Sequence, residues 1–170
     1  INNQLTKDYK TNIAATTTTN NNNTNKYKLK LCPNVHFCDC WLIQLVTRLP
    51  HQPYLHQEQE LIGNFEKYNS NAGHVTPSPS PDYKTRHEII QTFSHWSHVI
   101  TKGFLMIIDC QGVYKQDENM FLLTDPAIHC QNTLRFGGTN HGNIGFEHFY
   151  KSHKCNKYCK LLHLYVHSNK

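Results

Sequence analysis

The sequence predicts an α+β fold in a single domain. Strand-like segments occupy much of the first half, a long amphipathic helix lies at the centre, and two short helices close the chain. A length of 170 residues fits one domain, and 38% hydrophobic residues suffice for a single core. We expect antiparallel strands before the closing helices.

The N-terminal segment combines a helical pattern with a low-complexity tract. Apolar residues recur every four positions from Ile1 to Ile13, which indicates the end of an amphipathic helix. The Asn/Thr-rich stretch 14–26 has no apolar face to bury and is predicted to be a loop. Because the chain starts at Ile1 rather than Met, we expect it to be a fragment.

Three segments follow that alternate between strand and connection. Tyr27, Leu29 and Leu31 alternate with lysines, which predicts a half-buried strand. The continuous apolar run Trp41–Val46 predicts a buried strand. The polar, Pro-containing stretch His51–Gln59 is interpreted as a connection.

The central helix is predicted by a capping motif at its start and by apolar residues that line one of its faces. Thr85-Arg-His-Glu88 has the form of a capping box and predicts a helix start before Ile89. The apolar residues after it share one helical face, and Gly103 is expected to end the helix. These residues are Ile89, Phe93, Trp96 and Ile100.

A third predicted strand and two short helices complete the second half of the chain. Phe104–Ile108 is predicted to form a buried strand that stops at Asp109. Segments 145–150 and 155–162 are interpreted as two closing helices separated by a short break.

Charge, hydropathy and cysteine number limit the classes of function. The net charge of +5 comes with scattered lysines, which favours a solvated surface over a nucleic-acid partner. The longest apolar runs are too short to cross a bilayer, so we expect no membrane segment here. Seven cysteines, an odd number, argue against a disulfide framework and favour a reducing, cytoplasmic compartment.

A cluster of His and Cys near the C-terminus has metal-like spacing. Cys155 and Cys159 are four apart, so on a helix both thiols would project from one face. His153 would reach in from the preceding turn, and His95 is the best candidate for a fourth, distant ligand of a tetrahedral zinc. Free buried cysteines are the alternative. Cys38-Asp-Cys40 makes a second, weaker metal hypothesis.

Oxygen-bearing side chains near the middle of the chain suit phosphate chemistry. Asp109 and Gln111 would share one side of an extended segment, and Asp125 follows in a Thr-Asp-Pro turn. Such oxygens suit a base beside a Mg²⁺ ligand. The alternative makes Asp109 a strand end and Asp125 a turn former. Lys67 could donate to a phosphate, although a lone lysine is usually solvated.

A glycine-rich loop precedes the first closing helix. Its backbone N–H groups at 136–142 could approach a phosphate or a peptide. By itself this signal is weak, since many such loops are simple turns.

Read together, these motifs resemble the alpha-type (atypical) serine/threonine protein kinase family, in order and in wording, over roughly residues 27 to 165. The motifs that carry the resemblance are Glu58-Gln-Glu-Leu-Ile-Gly63, Lys67-Tyr-Asn-Ser-Asn71, Phe93-Ser-His95-Trp96, Ile108-Asp-Cys-Gln-Gly-Val113, Leu123-Thr-Asp-Pro-Ala-Ile-His129, Gly137-Gly-Thr-Asn140-His-Gly142 and Ser152-His-Lys-Cys-Asn-Lys-Tyr-Cys159.

The resemblance implies the C-terminal part of a two-lobed, kinase-like domain. Residues 1–170 would then be an N-terminally truncated kinase domain with an incomplete N-terminal lobe and a zinc-stapled C-terminal lobe. The strand whose Lys grips the ATP phosphates is expected upstream of Ile1. The family implies ATP as donor, Mg²⁺ in the cleft, and Ser or Thr of a protein substrate as acceptor.

The resemblance also implies roles for individual residues. Asp109 would be the catalytic base, with Gln111 and Asp125 holding Mg²⁺. The nucleotide would meet Glu58, Leu61, Lys67 and Thr124, and the peptide substrate would meet the loop at Gly137, Asn140 and Gly142. Zinc would bind His95, His153, Cys155 and Cys159.

Two other functions stay open at this point. One is a catalytically inactive alpha-kinase-like fragment that acts as a protein-binding module, which the upstream sequence would discriminate. The other is a zinc-stabilised nucleic-acid binder, disfavoured because few aromatic or Arg side chains accompany the C-terminal lysines. The sequence carries no sign of the oligomeric state.

Overall fold

The computed structural model describes residues 33–46 and 54–164. The predicted helix at 1–13, the low-complexity loop at 14–26 and the predicted strand at 27–31 lie outside the described residues. Within the described residues the structure confirms the α+β class. Its strands are β1 (Asn34–Phe37), β2 (Cys40–Gln44), β3 (Tyr54–Glu58), β4 (Phe65–Lys67), β5 (Leu105–Ile108), β6 (Gln111–Lys115), β7 (Met120–Thr124) and β8 (Ala127–Cys130), and its helices are α1 (Pro81–Ile100), α2 (Gly142–Ser152) and α3 (Lys157–Leu161).

The strands form three small sheets. A four-stranded sheet has the order β1-β7-β6-β4, in which β1 runs parallel to β7 and the other pairs are antiparallel. Strands β2 and β3 form an antiparallel hairpin, and β5 pairs with β8. The parallel β1–β7 pair departs from the purely antiparallel arrangement that we predicted.

Two of these sheets are parts of one bent antiparallel ribbon. Ile108 pairs with Ala127 and Gln111 pairs with Thr124, so β5–β8 and β6–β7 keep one common register. The pairing is interrupted at 109–110 and 125–126, where the ribbon passes from one sheet to the other. An aspartate occupies the left-handed region on each side of the interruption, Asp109 at φ 58° and Asp125 at φ 44°.

Helix α1 packs against β5 and contributes several side chains to the hydrophobic core. Ile89, Phe93 and Trp96 are buried as predicted, whereas Ile100 at the helix end is 45% exposed. The predicted start before Ile89 is wrong, because the helix already begins at Pro81. Proline at the first helical position has its φ preset and gives up no hydrogen bond there.

The hairpin corrects two of our predictions. The apolar run Trp41–Val46 was expected to be buried, yet every residue of β2 is exposed and Trp41 is 53% exposed. Strand β3 occupies most of the stretch His51–Gln59 that we interpreted as a connection. Within the described residues, β2 pairs with β3 and no element covers the hairpin, so an apolar run did not imply burial.

The two closing helices exist, with shifted bounds. Helix α2 begins at Gly142 rather than 145, and α3 begins at Lys157, where the Asn156 side chain accepts from the N–H groups of Tyr158 and Cys159. Cys155 therefore precedes the helix, and the expectation that both thiols project from one helical face is wrong. Among the described residues, no helix is both long and apolar enough for a membrane span.

Candidate active site and metal cluster

A row of polar side chains crosses the end of the four-stranded sheet. Lys67 pairs with Gln111, and Gln111 pairs with Thr124, across β4, β6 and β7. Residues directly opposite each other on paired strands present their side chains on the same face. The Thr124 hydroxyl donates to the Glu58 carboxylate at the end of β3. Four residues that the resemblance assigned to the site therefore lie together.

Asp109 joins this row from the adjacent turn. Its Oδ1 lies 2.7 Å from Nζ of Lys67 and accepts a hydrogen bond from the Asn71 N–H at 3.1 Å. The Asp109 side chain is 17% exposed and the Lys67 side chain 45%. We predicted that Asp109 and Gln111 share a side because they sit on an extended segment. That reason is wrong, since the positive φ of Asp109 breaks the alternation.

Of the two remaining residues predicted to meet nucleotide or magnesium, Asp125 adjoins the polar row. Asp125 is exposed and follows Thr124 directly, at the interruption of the ribbon. Leu61 is half-buried in the connection from β3 to β4. The structure thus gathers carboxylate, amide, hydroxyl and ammonium groups at one place, a set suited to a phosphate and its divalent cation.

Two asparagines with no predicted role hold the chain at Asp109 and Cys110. Asn69 is fully buried, donates to Gln91 Oε1 and Ser94 Oγ of α1 (3.0 Å each), and accepts from the Cys110 N–H at 2.8 Å. Asn71 holds the Asp109 carboxylate itself. Both lie in a motif that carried the resemblance, but partners about forty residues away leave no local pattern.

The glycine-rich loop is shaped by one buried side chain. Asn140 Oδ1 accepts from the N–H groups of Cys130 (2.8 Å) and Gly142 (2.9 Å), and its Nδ2 donates to the carbonyls of Asn132 and Arg135, which precede the loop. Gly137 faces open space, whereas Gly142 is buried at φ 58°. Of the three loop residues that the resemblance assigned to a substrate, Gly137 is exposed, whereas Asn140 and Gly142 are buried and take part in the hydrogen bonds that shape the loop.

Four side chains form a compact set that could hold a metal ion. His95 of α1, His153 after α2, and Cys155 and Cys159 at α3 place their ligand atoms within 4.8 Å of one another. The His95 Nδ1–Cys155 Sγ distance is 3.8 Å and the His153 Nε2–Cys159 Sγ distance is 3.5 Å. Tetrahedral bonds of about 2.0–2.3 Å to zinc would put its ligands about 3.3–3.8 Å apart. The two distances above lie in this range, whereas the 4.8 Å limit of the whole set exceeds it, so a zinc ion would draw the ligand atoms closer together.

The electrostatics of this cluster favour neutral imidazoles. Burial lowers the pKa of His95 and of His153 to about 4, which leaves both rings unprotonated and able to bind a metal near neutral pH. Burial, together with the neighbouring Cys159, raises the pKa of Cys155. A bound cation would favour its thiolate. Cys38 and Cys40 belong to no comparable cluster in the part of the chain that the structure describes.

The chain is similar to known proteins over most of its length. The alpha-kinase family model matches residues 2–159. The chain is 43% identical over 113 residues to alpha-protein kinase vwkA of Dictyostelium discoideum, covering 66% of this chain and 17% of that protein. It is 36% identical over 147 residues to myosin heavy chain kinase A of the same organism, covering 84% of this chain and 12% of the relative.

Solved structures agree with these matches. The alpha-kinase domain of myosin heavy chain kinase A in complex with AMP superposes with a TM-score of 0.64 at 33% identity, covering 84% of this chain and 54% of that one. The inactive domain of the same kinase complexed with ATP gives 0.65 at 32% identity, covering 84% and 53%. The chain thus spans about half of the solved domains and under a fifth of the two full-length relatives. It belongs to the alpha-kinase family.

Proposed function

We propose that the protein transfers the terminal phosphoryl group of ATP to serine or threonine hydroxyls of protein substrates. Membership of the alpha-kinase family supports this, as do the kinase names of the relatives. The observation that carries the proposal is the Asp109 carboxylate, held by Lys67 and the Asn71 N–H beside the row formed with Gln111 and Thr124.

Asp109 is assigned the role of general base. Both of its contacts hold Oδ1, which fixes the orientation of Oδ2. In the reaction, Oδ2 takes the proton of the substrate hydroxyl as the hydroxyl oxygen bonds to phosphorus, and the bond to the ADP oxygen breaks. A positioned base of this kind contributes about 10²–10⁴-fold to a rate.

The neighbouring residues are assigned to nucleotide and cation. Gln111 and Asp125 would supply oxygen ligands to Mg²⁺, whose charge offsets that of the phosphates. Lys67 would balance phosphate charge at the same sheet end. Glu58, Leu61 and Thr124 would line the nucleotide site; Glu58 and Thr124 already contact each other.

We also propose that the cluster of His95, His153, Cys155 and Cys159 binds a structural zinc. Two sulfur and two nitrogen donors suit zinc, and all four positions are filled by protein, which leaves no open site for catalysis. The ion would join α1 to the segments at the ends of α2 and α3. The described cysteines are free thiols, which supports a reducing, cytoplasmic location as a further proposal.

The test is phosphate transfer by the protein expressed from its complete coding sequence. Wild type should transfer radiolabelled phosphate from ATP to a peptide library, with label recovered on serine or threonine. Asp109→Asn keeps the side-chain shape and should lower kcat by about 10²-fold or more. Asp117→Asn, an exposed change in the β6–β7 turn, is the matched control.

Two outcomes would contradict the proposal. If wild type binds ATP yet transfers no phosphate, the protein is a binding module of the same fold. If Asp109→Asn retains wild-type kcat, another group is the base.

A further inference from the structure

We propose that His129 is a positioning residue with two distinct tasks, one on each ring nitrogen. Through Nε2 it fixes the turn that orients Asp109, and through Nδ1 it fixes the glycine-rich loop 137–142. This inference rests on the proposed function, because Asp109 and the loop are taken as base and substrate contact.

The His129 ring is buried and closely packed. The residue lies on β8 and is fully buried. Helix α2 passes directly over the ring at Gly145, where an added Cβ would lie 2.2 Å from His129 Cδ2. Only glycine allows this approach, so the ring packs directly against the backbone of α2.

On one side the ring supports the turn that holds the base. His129 Nε2 lies 2.9 Å from the carbonyl oxygen of Asn71. The N–H of the same Asn71 donates to Asp109 Oδ1 at 3.1 Å. A single residue therefore separates the imidazole from the carboxylate, and loss of the Nε2 bond would release the Asn71 backbone.

On the other side the ring holds the end of the glycine-rich loop. The backbone N–H of His141 donates to His129 Nδ1 at 3.2 Å. The two imidazoles stack, with centroids 5.1 Å apart and planes inclined by 20°. Nδ2 of Asn71 lies 3.4 Å from Nε2 of His141, which closes a ring of contacts among the three residues.

These contacts require one tautomer. A carbonyl can only accept and a backbone N–H can only donate, so His129 must carry its proton on Nε2 and keep Nδ1 unprotonated. Burial lowers the pKa of His129, as do the nearby His141 and His148, against the Asn71 carbonyl and Asp109, which raise it. A second proton, on Nδ1, would break the bond to the loop.

Two substitutions separate the two tasks. His129→Gln places an amide nitrogen where Nε2 lies and can still donate to Asn71, but it offers nothing at Nδ1. His129→Asn places an amide oxygen where Nδ1 lies and can still accept from His141, but it cannot reach Asn71. A residue that merely fills space would lose stability according to the volume removed, and its two variants would not divide their effects between kcat and peptide KM.

The kinetic outcome should split accordingly in the full-length protein. His129→Asn should lower kcat by about 10–100-fold with little change in peptide KM, because misplacing a reacting group by about 1 Å has effects of this size. His129→Gln should mainly raise peptide KM, by about tenfold or more, with the smaller loss of kcat. His148→Gln, at an exposed position of α2, serves as the control for a histidine change nearby.

An NMR measurement tests the same inference without any variant or activity. In the ¹⁵N-histidine-labelled protein, His129 should show a protonated Nε2 and a bare Nδ1 near neutral pH. The opposite tautomer would overturn the proposal, as would equal kinetic losses in both variants. An inactive wild type would instead refute the kinase function and leave the tautomer result to decide this inference.

Discussion

Replacing Cys159 by serine should reveal whether the His/Cys cluster holds a metal. Cys159 is fully buried, its Sγ lies 3.5 Å from His153 Nε2, and the Thr92 hydroxyl lies 3.3 Å away. Serine keeps the size and can still bond to Thr92, so the loss measured is chiefly that of a thiolate ligand.

The expected magnitude follows from the number of ligands. Structural zinc sites in peptides bind with about 10–16 kcal/mol near pH 7, so one of four ligands accounts for about 3 kcal/mol or more. In a domain of this size, each kcal/mol shifts Tm by about 2–4 °C, so we expect a fall of at least about 6 °C. Part of any fall would come simply from burying a hydroxyl, and that part needs a control.

Cys110→Ser is the matched control. Cys110 is equally buried and also lies beside a hydroxyl, with Ser94 Oγ at 3.8 Å, but it is outside the cluster. The assay combines thermal unfolding, with and without a zinc chelator, and metal content by mass spectrometry. Wild type should carry one zinc per chain and lose stability with chelator, whereas Cys159→Ser should carry less and respond little. Equal destabilisation by both serines, with no zinc in wild type, would refute the metal site.

Four further changes test other parts of the structure. Lys67→Met should lower kcat but alter the free energy of unfolding by only about 0–1 kcal/mol, since its ion pair with Asp109 is partly exposed; a large loss of stability would contradict this. Gly145→Ala should destabilise by about 1–3 kcal/mol in urea unfolding, because its methyl meets the His129 ring; a neutral effect would show that the ring can move. Phe93→Ala should cost about 3–5 kcal/mol in the same assay, because Phe93 is fully buried, and a cost below that range would place Phe93 outside the rigid core. Finally, burial lowers the pKa of His129 below its ordinary value of 6.5. As pH falls, this histidine is therefore protonated in the unfolded chain before it is protonated in the folded protein. The free energy of unfolding should then decrease as pH drops below 6.5. His129→Gln should flatten this part of the pH profile, and an unchanged slope would exclude His129 as its source.

The sequence identified the cluster ligands better than it identified their geometry. Spacing and resemblance selected His95, His153, Cys155 and Cys159, and the structure brings all four together. The prediction that both thiols project from one helical face is wrong. Two residues four apart can both lie within a helix, but the first can equally lie before the helix begins. Here Cys155 precedes Asn156, the cap residue of α3, and Cys159 lies within the helix.

The bracing of Asp109 could not be predicted from local pattern. Asn71 precedes Asp109 by 38 positions, and His129 follows Asn71 by 58. Periodicity reports which face of an element is apolar, and it contains nothing about hydrogen bonds between distant loops. The exposed strand β2 shows the same limit of sequence patterns. A continuous apolar run indicates that a strand could be buried, but it does not show that another element covers it.

The bent ribbon has a consequence for how this part of the chain can vary in length. Its two arms, 105–115 and 120–130, keep one register on both sides of the bend. Inserting or deleting one residue in either arm would turn Gln111 or Thr124 to the opposite face and pull apart the polar row. In the tip that joins the arms, Asn119 is held by the Asn34 N–H and the Tyr114 hydroxyl. The exposed residues 116–118 carry no such constraint. Among related sequences, the length of this tip should therefore vary, whereas the number of residues in each arm should stay constant.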